Sequence, residues 1–253
     1  NYFENQNLDK GWNLGFNTFY GSKINIGYQA FAHKPEKFNH SPSKEEVLQK
    51  LCPKVIYVKG QAFIKIIKEN YNKIRCYQGP SFVNFDKKYF NFKKRNNFLF
   101  LLTGEPLEDE YLIKQIFFFK ENNKKKRFGI KLHPISNISK KIKNKLLRNN
   151  IIIYNDIKYS LGISEIVISA GLTTSLIEGL IYNCKLIVLN NSASDIFFFK
   201  NLSIPNKSYT LVQNLKFKKI KKLKTLNLIE KKKIIDNYYS VKSEKNVKDL
   251  LNI

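Results

Sequence analysis

Five short apolar runs, each of strand length and each followed by a segment of helical character, lie between residues 97 and 189. They constrain the fold more than any other feature. Asn97–Leu102 (NFLFLL) reads as a buried strand that stops at Thr103-Gly104. Pro106, tolerated in a first helical turn, and the acids Glu108, Asp109 and Glu110 then open a helix running through Tyr111–Lys120. Arg127–Leu132 (RFGIKL) is the next strand, ended by His133-Pro134 because proline cannot continue a central ladder. Ser136–Asn149 is helical and basic, Asn150–Tyr154 a third strand and Asp156–Leu161 a short helix. Glu165–Ser169 (EIVIS) is a fourth strand, breaking at Ala170-Gly171; Thr173–Tyr182 is a helix and Lys185–Leu189 a fifth strand. Short strands that are apolar throughout and separated by helices predict a doubly wound parallel sheet with right-handed crossovers.

Upstream, Lys54–Val58 (KVIYV) reads as a strand closed by Gly60, with a helix over Gln61–Tyr71 and a further strand at Ile24–Tyr28. Ser43 to Glu46 fits an S-x-x-E helix start. Lys87–Asn96, polar and basic, reads as the linker between two α/β units, and downstream of Tyr209 lysine-rich sequence with helical spacing of Leu and Ile follows. The expected organisation is therefore 1–90 as a partial α/β domain, 95–210 as a Rossmann-like domain and 211–253 as a helical tail. The 253 residues contain no methionine, position 1 included, so the chain reads as trimmed and its amino-terminal domain as incomplete.

Composition narrows the classes of function. No apolar run reaches the roughly 18 residues of a membrane span, and Asn1–Lys10 is polar without the apolar stretch of a signal peptide. Cys52, Cys76 and Cys184 are scattered, which favours buried thiols in a reducing compartment over a disulfide or zinc site. The formal charge of +25 invites a nucleic-acid partner, but only four of the 45 basic residues are arginine: Arg75, Arg95, Arg127 and Arg148. Asn and Ile each occur 30 times, so A- and T-rich codons account for much of the lysine. The clusters Lys124–Arg127, Lys140–Lys145 and Lys218–Lys224 suit solvated faces, an anionic bilayer surface or a phosphorylated substrate better than base readout.

Ligands of open parallel sheets bind at the carboxyl ends of strands, and three such ends carry chemistry here. In Lys131-Leu132-His133-Pro134, strand alternation puts Lys131 and His133 on one side, where the imidazole can donate to a phosphate oxygen or simply cap the strand. Ser169, Gly171, Thr173, Thr174 and Ser175 combine a glycine turn, hydroxyls and a helix start, which together favour an anion. Glu178 can reach a ribose hydroxyl or complete a capping box with Ser175. At Thr103-Gly104-Glu105, Gly104 permits close approach of a ligand and Glu105 can act as base or sugar contact; a plain turn explains both equally well. In the upstream unit His33 is a candidate general base toward an acceptor hydroxyl. No set of histidines and cysteines has metal-ligand spacing, so neither metal nor cofactor is expected.

A strand ending K-x-H-P, followed some thirty residues later by EIVISAGLTTSLIEGLIYNCKLIVLN, resembles the donor-binding half of bacterial surface-carbohydrate glycosyltransferases with the two-Rossmann architecture called GT-B. The sialyltransferase-like and capsule-synthesis branches are similar, and GYQAFAHKP with KVIYVKG looks like their acceptor-side region. The resemblance covers about residues 24–200. It implies His133 and Lys131 near the donor phosphate, the 169–175 segment as phosphate loop and Glu178 as ribose contact. The acidic base motif of such enzymes has no counterpart here. The implied activity is metal-independent transfer of a sugar from a nucleotide-sugar donor to a surface polysaccharide or lipid-linked glycan, on the cytoplasmic face of a membrane. Two other readings stand beside it: phosphotransfer from a CDP-polyol, as in the teichoic-acid enzymes, and a non-enzymatic basic module binding nucleic acid or membrane.

Overall fold

The computed structural model describes residues 7–21, 23–29, 41–79, 97–171, 173–189, 199–200, 204–213 and 222–239. His33 and the linker expected at Lys87–Asn96 lie outside these described residues. The chain divides into two compact units, one of Asn1–Asn84, Phe197–Ser203 and Lys232–Ile253, the other of Phe85–Ile196 and Ile204–Lys231.

In the first unit, α1 (Asn7–Phe19) precedes β1 (Ile26–Gln29), α2 (Lys44–Leu48), β2 (Val55–Val58), α3 (Gln61–Ile67) and β3 (Cys76–Gln78). The strands form a parallel sheet in the order β1-β2-β3. The S-x-x-E signal forms the expected capping box: Ser43 accepts from the Glu46 N–H, and the Glu46 carboxylate accepts from the Ser43 N–H at 2.8 Å. Neither α1 nor β3 carries the patterns used above. The buried face of α1 is made of Asn13 and Asn17, while Leu8 and Phe19 point outward. Asn17 donates to the carbonyls of Lys50 and Cys52 at 2.9 and 3.0 Å, so hydrogen bonds rather than an apolar stripe hold this helix. Strand β3 has three residues, too few to display a period.

In the second unit, β4 (Asn97–Leu101), α4 (Pro106–Glu121), β5 (Arg127–Lys131), α5 (Lys140–Arg148), β6 (Ile151–Tyr154), α6 (Ile157–Ile163), β7 (Ser164–Ser169), α7 (Thr174–Ile181), β8 (Lys185–Leu189) and β9 (Tyr209–Val212) alternate along the chain. The helix α8 (Leu228–Tyr238) begins in this unit, and its residues from Lys232 onward belong to the first. All six strands are parallel and run β6-β5-β4-β7-β8-β9 across the sheet. Counted within the unit, this is the 3-2-1-4-5-6 order of a doubly wound Rossmann sheet. Strand β9 extends the sheet to residue 212, past the point where helical sequence was expected to begin, because its Lys-flanked residues are half exposed at an edge. Helix α5 starts at Lys140 rather than Ser136, with Ser139 accepting from the Ile142 N–H as its cap.

The core of this unit explains the apolar runs. Every residue of β4 is buried, as expected for a strand covered on both faces. Phe98 and Phe128 stack with ring centres 5.4 Å apart, and Phe119 of α4 meets Phe98 edge-on. Leu112, Ile113, Ile116 and Phe119 recur at helical spacing and put one face of α4 against the sheet.

Candidate functional site

The strand order reverses between β4 and β7, which places a crevice at their carboxyl ends. Beyond β4 come Thr103 and Gly104, beyond β7 Ala170 and Gly171, and beyond β5 Leu132 and His133. Two of the three strand ends singled out from sequence thus flank the switch point, and the third adjoins it.

Gly104 has φ +86°, a conformation that an L side chain rarely adopts. A Cβ at this position would lie 2.6 Å from His133 Nδ1, so the turn after β4 packs directly against the imidazole. The ring is half-buried, and Nδ1 accepts from the Ile135 N–H at 3.4 Å. With Nδ1 accepting, Nε2 is the donor nitrogen of the neutral tautomer, and it has no hydrogen-bond partner among the described residues. Lys131 also sits at the end of β5, with its ammonium donating to the Leu132 carbonyl at 2.7 Å.

The loop after β4 is fixed by two acids from the first turn of α4. Asp109 Oδ1 accepts from the N–H of Thr103 at 2.8 Å and of Gly104 at 3.3 Å, and its Oδ2 accepts from the Ser136 hydroxyl at 2.5 Å. The loops after β4 and β5 are therefore tied through one buried carboxylate. Glu108 Oε2 accepts from the Thr103 hydroxyl at 2.7 Å, and its carboxylate lies against Gly171, where a Cβ would approach to 2.3 Å. Gly171 is what lets this carboxylate into the crevice. Glu108, and not Glu105, occupies the crevice: Glu105 is the exposed N-cap residue of α4. Sequence reasoning missed Glu108, Asp109 and Ser136, whose only signal was two acids in a helix's first turn.

At the β7 end the expected residues divide. Ser169 is fully buried, and its hydroxyl donates to the Leu101 carbonyl at 3.1 Å, clamping β7 to β4 from inside. Thr173 is the N-cap of α7 but makes no side-chain capping bond. Ser175 lies inside the helix, so the capping box with Glu178 does not form. The hydroxyls of Thr173, Thr174 and Ser175 have no partner among the described residues, and all three side chains are partly exposed. Glu178 is half-buried one turn further along α7. Free hydroxyls, first-turn N–H groups at the positive end of a helix and the His133 Nε2–H suit an anion; Glu108 suits a hydroxyl or amine. No group of three or more His, Cys, Asp or Glu side chains that could hold a metal occurs among the described residues.

No protein-family model matches the sequence, and no curated protein matches it. Solved structures do. The chain superimposes on Arabidopsis thaliana UGT89C1 complexed with quercetin at a TM-score of 0.60 and 10% identity, over 97% of this chain and 69% of that one. It matches the UDP-GlcNAc 2-epimerase of Neisseria meningitidis, bound to UDP-GlcNAc, at 0.55 and 14%, over 93% and 72%. TarM matches at 0.52 and 14%, over 90% of this chain; the chain spans half the length of TarM. At these identities the likeness is one of fold. The protein has the α/β architecture of the GT-B class, with parallel Rossmann-like sheets.

Proposed function

We propose that the protein is a glycosyltransferase that moves a sugar from a nucleotide-sugar donor to a bacterial surface polysaccharide or a lipid-linked glycan. The observation that carries this reading is the set of donors at the carboxyl edge of the β4–β7 sheet that have no partner among the described residues. Thr173, Thr174, Ser175 and the start of α7 follow β7, and His133, whose Nδ1 packs against the Gly104 turn, follows β5. Structural neighbours with the same fold were solved with UDP or UDP-GlcNAc bound, which supports a nucleotide-linked donor.

In this reading the leaving phosphate gathers negative charge as the glycosidic bond breaks. Hydroxyls, helix N–H groups and the His133 N–H at these strand ends stabilise that charge. Glu108, an acceptor, takes a hydroxyl or amine of the donor rather than its phosphate. Lys131 adds positive charge at the same edge, Glu178 is the ribose contact, and His33 is the base toward the acceptor. Because the chain's own donors meet the phosphate, activity is expected to persist in EDTA. A lipid-linked acceptor would put the enzyme on the cytoplasmic face of a membrane; no helix among the described residues is long and apolar enough to cross one.

The test is calorimetric titration of the protein with UDP-, CMP-, GDP- and CDP-linked donors, alongside the His133→Ala variant. One donor class should bind, with affinity reduced tenfold or more in the variant. Absence of binding by all four, or equal binding by wild type and variant, overturns the proposal.

A further inference from the structure

The amino edge of the six-stranded sheet, opposite the donor crevice, carries a second feature. A hollow of about 660 Å³ opens where α4 and α5 end and β5 and β6 begin. Lys124, Lys125, Lys126 and Arg127 form its rim, and Leu147 and Ile152 line it from α5 and β6. Those two apolar side chains are 57% and 48% exposed. A second hollow of about 510 Å³ continues the surface along α5, between Lys140, Lys141, Lys145 and Arg148. The helices adjoin here, with the Lys145 ammonium 4.5 Å from the centre of the Phe117 ring.

The charge on this face is uncompensated. Residues 120–127 and 140–153 hold ten lysines and arginines against the single acid Glu121. The side chains of Lys124, Lys125, Arg127, Lys140, Lys141 and Arg148 have neither ion pair nor hydrogen bond among the described residues.

The geometry points to this face as a docking surface for an anionic lipid bilayer. Lysine ammonium groups on flexible stems reach phosphate and carboxylate headgroups while Leu147 and Ile152 enter the interface between headgroups and acyl chains. A single-stranded nucleic acid would need exposed rings for base stacking, and the only aromatic lining the hollow, Phe128, is 1% exposed. Duplex readers favour arginine forks, and this face has two arginines among eight lysines. The hollow rimmed by Lys124–Arg127 lies at the amino edge of the sheet, so the assignment does not rest on the donor reading.

Co-sedimentation of the full chain with vesicles of 30% phosphatidylglycerol in phosphatidylcholine tests it. The protein should sediment with these vesicles and not with pure phosphatidylcholine, and 0.5 M salt should release it. Lys124→Glu/Lys125→Glu/Arg148→Glu should lower partitioning tenfold or more with an unchanged circular dichroism spectrum. Lys222→Glu/Lys232→Glu/Lys233→Glu, the same charge change at exposed positions elsewhere, should lower it by less than threefold. Failure of the wild type to sediment, an equal loss in both triple variants, or tighter binding to a 30-mer RNA than to the vesicles overturns the assignment. Calorimetry with nucleotide donors reads the other edge separately.

Discussion

The Ser136 hydroxyl donates to Asp109 at 2.5 Å, and through that carboxylate the loop carrying His133 is bonded to the backbone of Thr103 and Gly104. Asp109 is 7% exposed, so its replacement leaves buried donors without an acceptor. Asp109→Ala should destabilise the unit by on the order of 2–4 kcal/mol, whereas Asp109→Asn, which keeps one acceptor oxygen, should cost about 1 kcal/mol. Urea unfolding checks both. Donor affinity should fall in Asp109→Asn as well, because the imidazole loses its reference to the Gly104 turn; unaltered affinity would count against the role given to this tie.

Gly171→Ala puts a methyl group where the Glu108 carboxylate lies, and only a flexible side-chain end has to move. The melting temperature should change little, while donor affinity drops tenfold or more. If displacement of Glu108 is the cause, Gly171→Ala/Glu108→Ala should bind no more weakly than Glu108→Ala alone, a coupling that a double-mutant cycle measures directly.

The three hydroxyls at the start of α7 make no hydrogen bond among the described residues. Thr173→Ala, Thr174→Ala and Ser175→Ala should each lie within about 0.5 kcal/mol of wild type in stability. Each should nonetheless weaken nucleotide binding several-fold. A stability loss above about 1 kcal/mol, the usual cost of deleting a helix cap, would return Thr173 to a purely capping role.

Burial pushes the Cys52 and Cys76 thiols up to about 12; Glu46 adds to the first, against Lys10, and Lys68 opposes the second. An acid whose folded value is raised stabilises the fold fully below its unfolded value of 9.0, and that contribution is lost as pH climbs toward about 12. The urea midpoint should be flat from pH 7 to 8.5 and fall above 9. A Cys52→Ala/Cys76→Ala variant should show a shallower fall. Cys184 is fully buried with its thiol against the Leu161 and Ser164 carbonyls at 3.2 and 3.3 Å, so at pH 8 no thiol should react with Ellman's reagent until denaturant is added.

The sheet was legible in the sequence because its central strands are covered on both faces, and an uninterrupted apolar run such as NFLFL has few other destinations. Edges were not. Strand β9 is half exposed and β3 has three residues, so neither displays a period. Helix α1 turns asparagines inward and leucines outward, the reverse of the pattern that marks a surface helix. At the site, strand ends announced themselves through Gly, His and hydroxyl residues. The contacts that organise them did not, because Asp109 and Glu108 fold back over a turn and meet Ser136 and Gly171 only once β5 and β7 flank β4. Ser169 shows the converse: its place in a promising motif is used to join two strands.

The central claim is that the loops after β4, β5 and β7 hold a nucleotide-linked phosphate together. Amide chemical-shift mapping on the ¹⁵N-labelled protein, titrated with UDP, CDP, GDP and CMP, tests it most directly. The account predicts, for at least one nucleotide, saturable shifts largest at Gly104, His133, Gly171, Thr174 and Ser175, with Lys124, Lys125 and Arg148 unmoved. Saturable shifts confined to residues outside the β4–β7 crevice, or no saturable shift with any of the four, would contradict it.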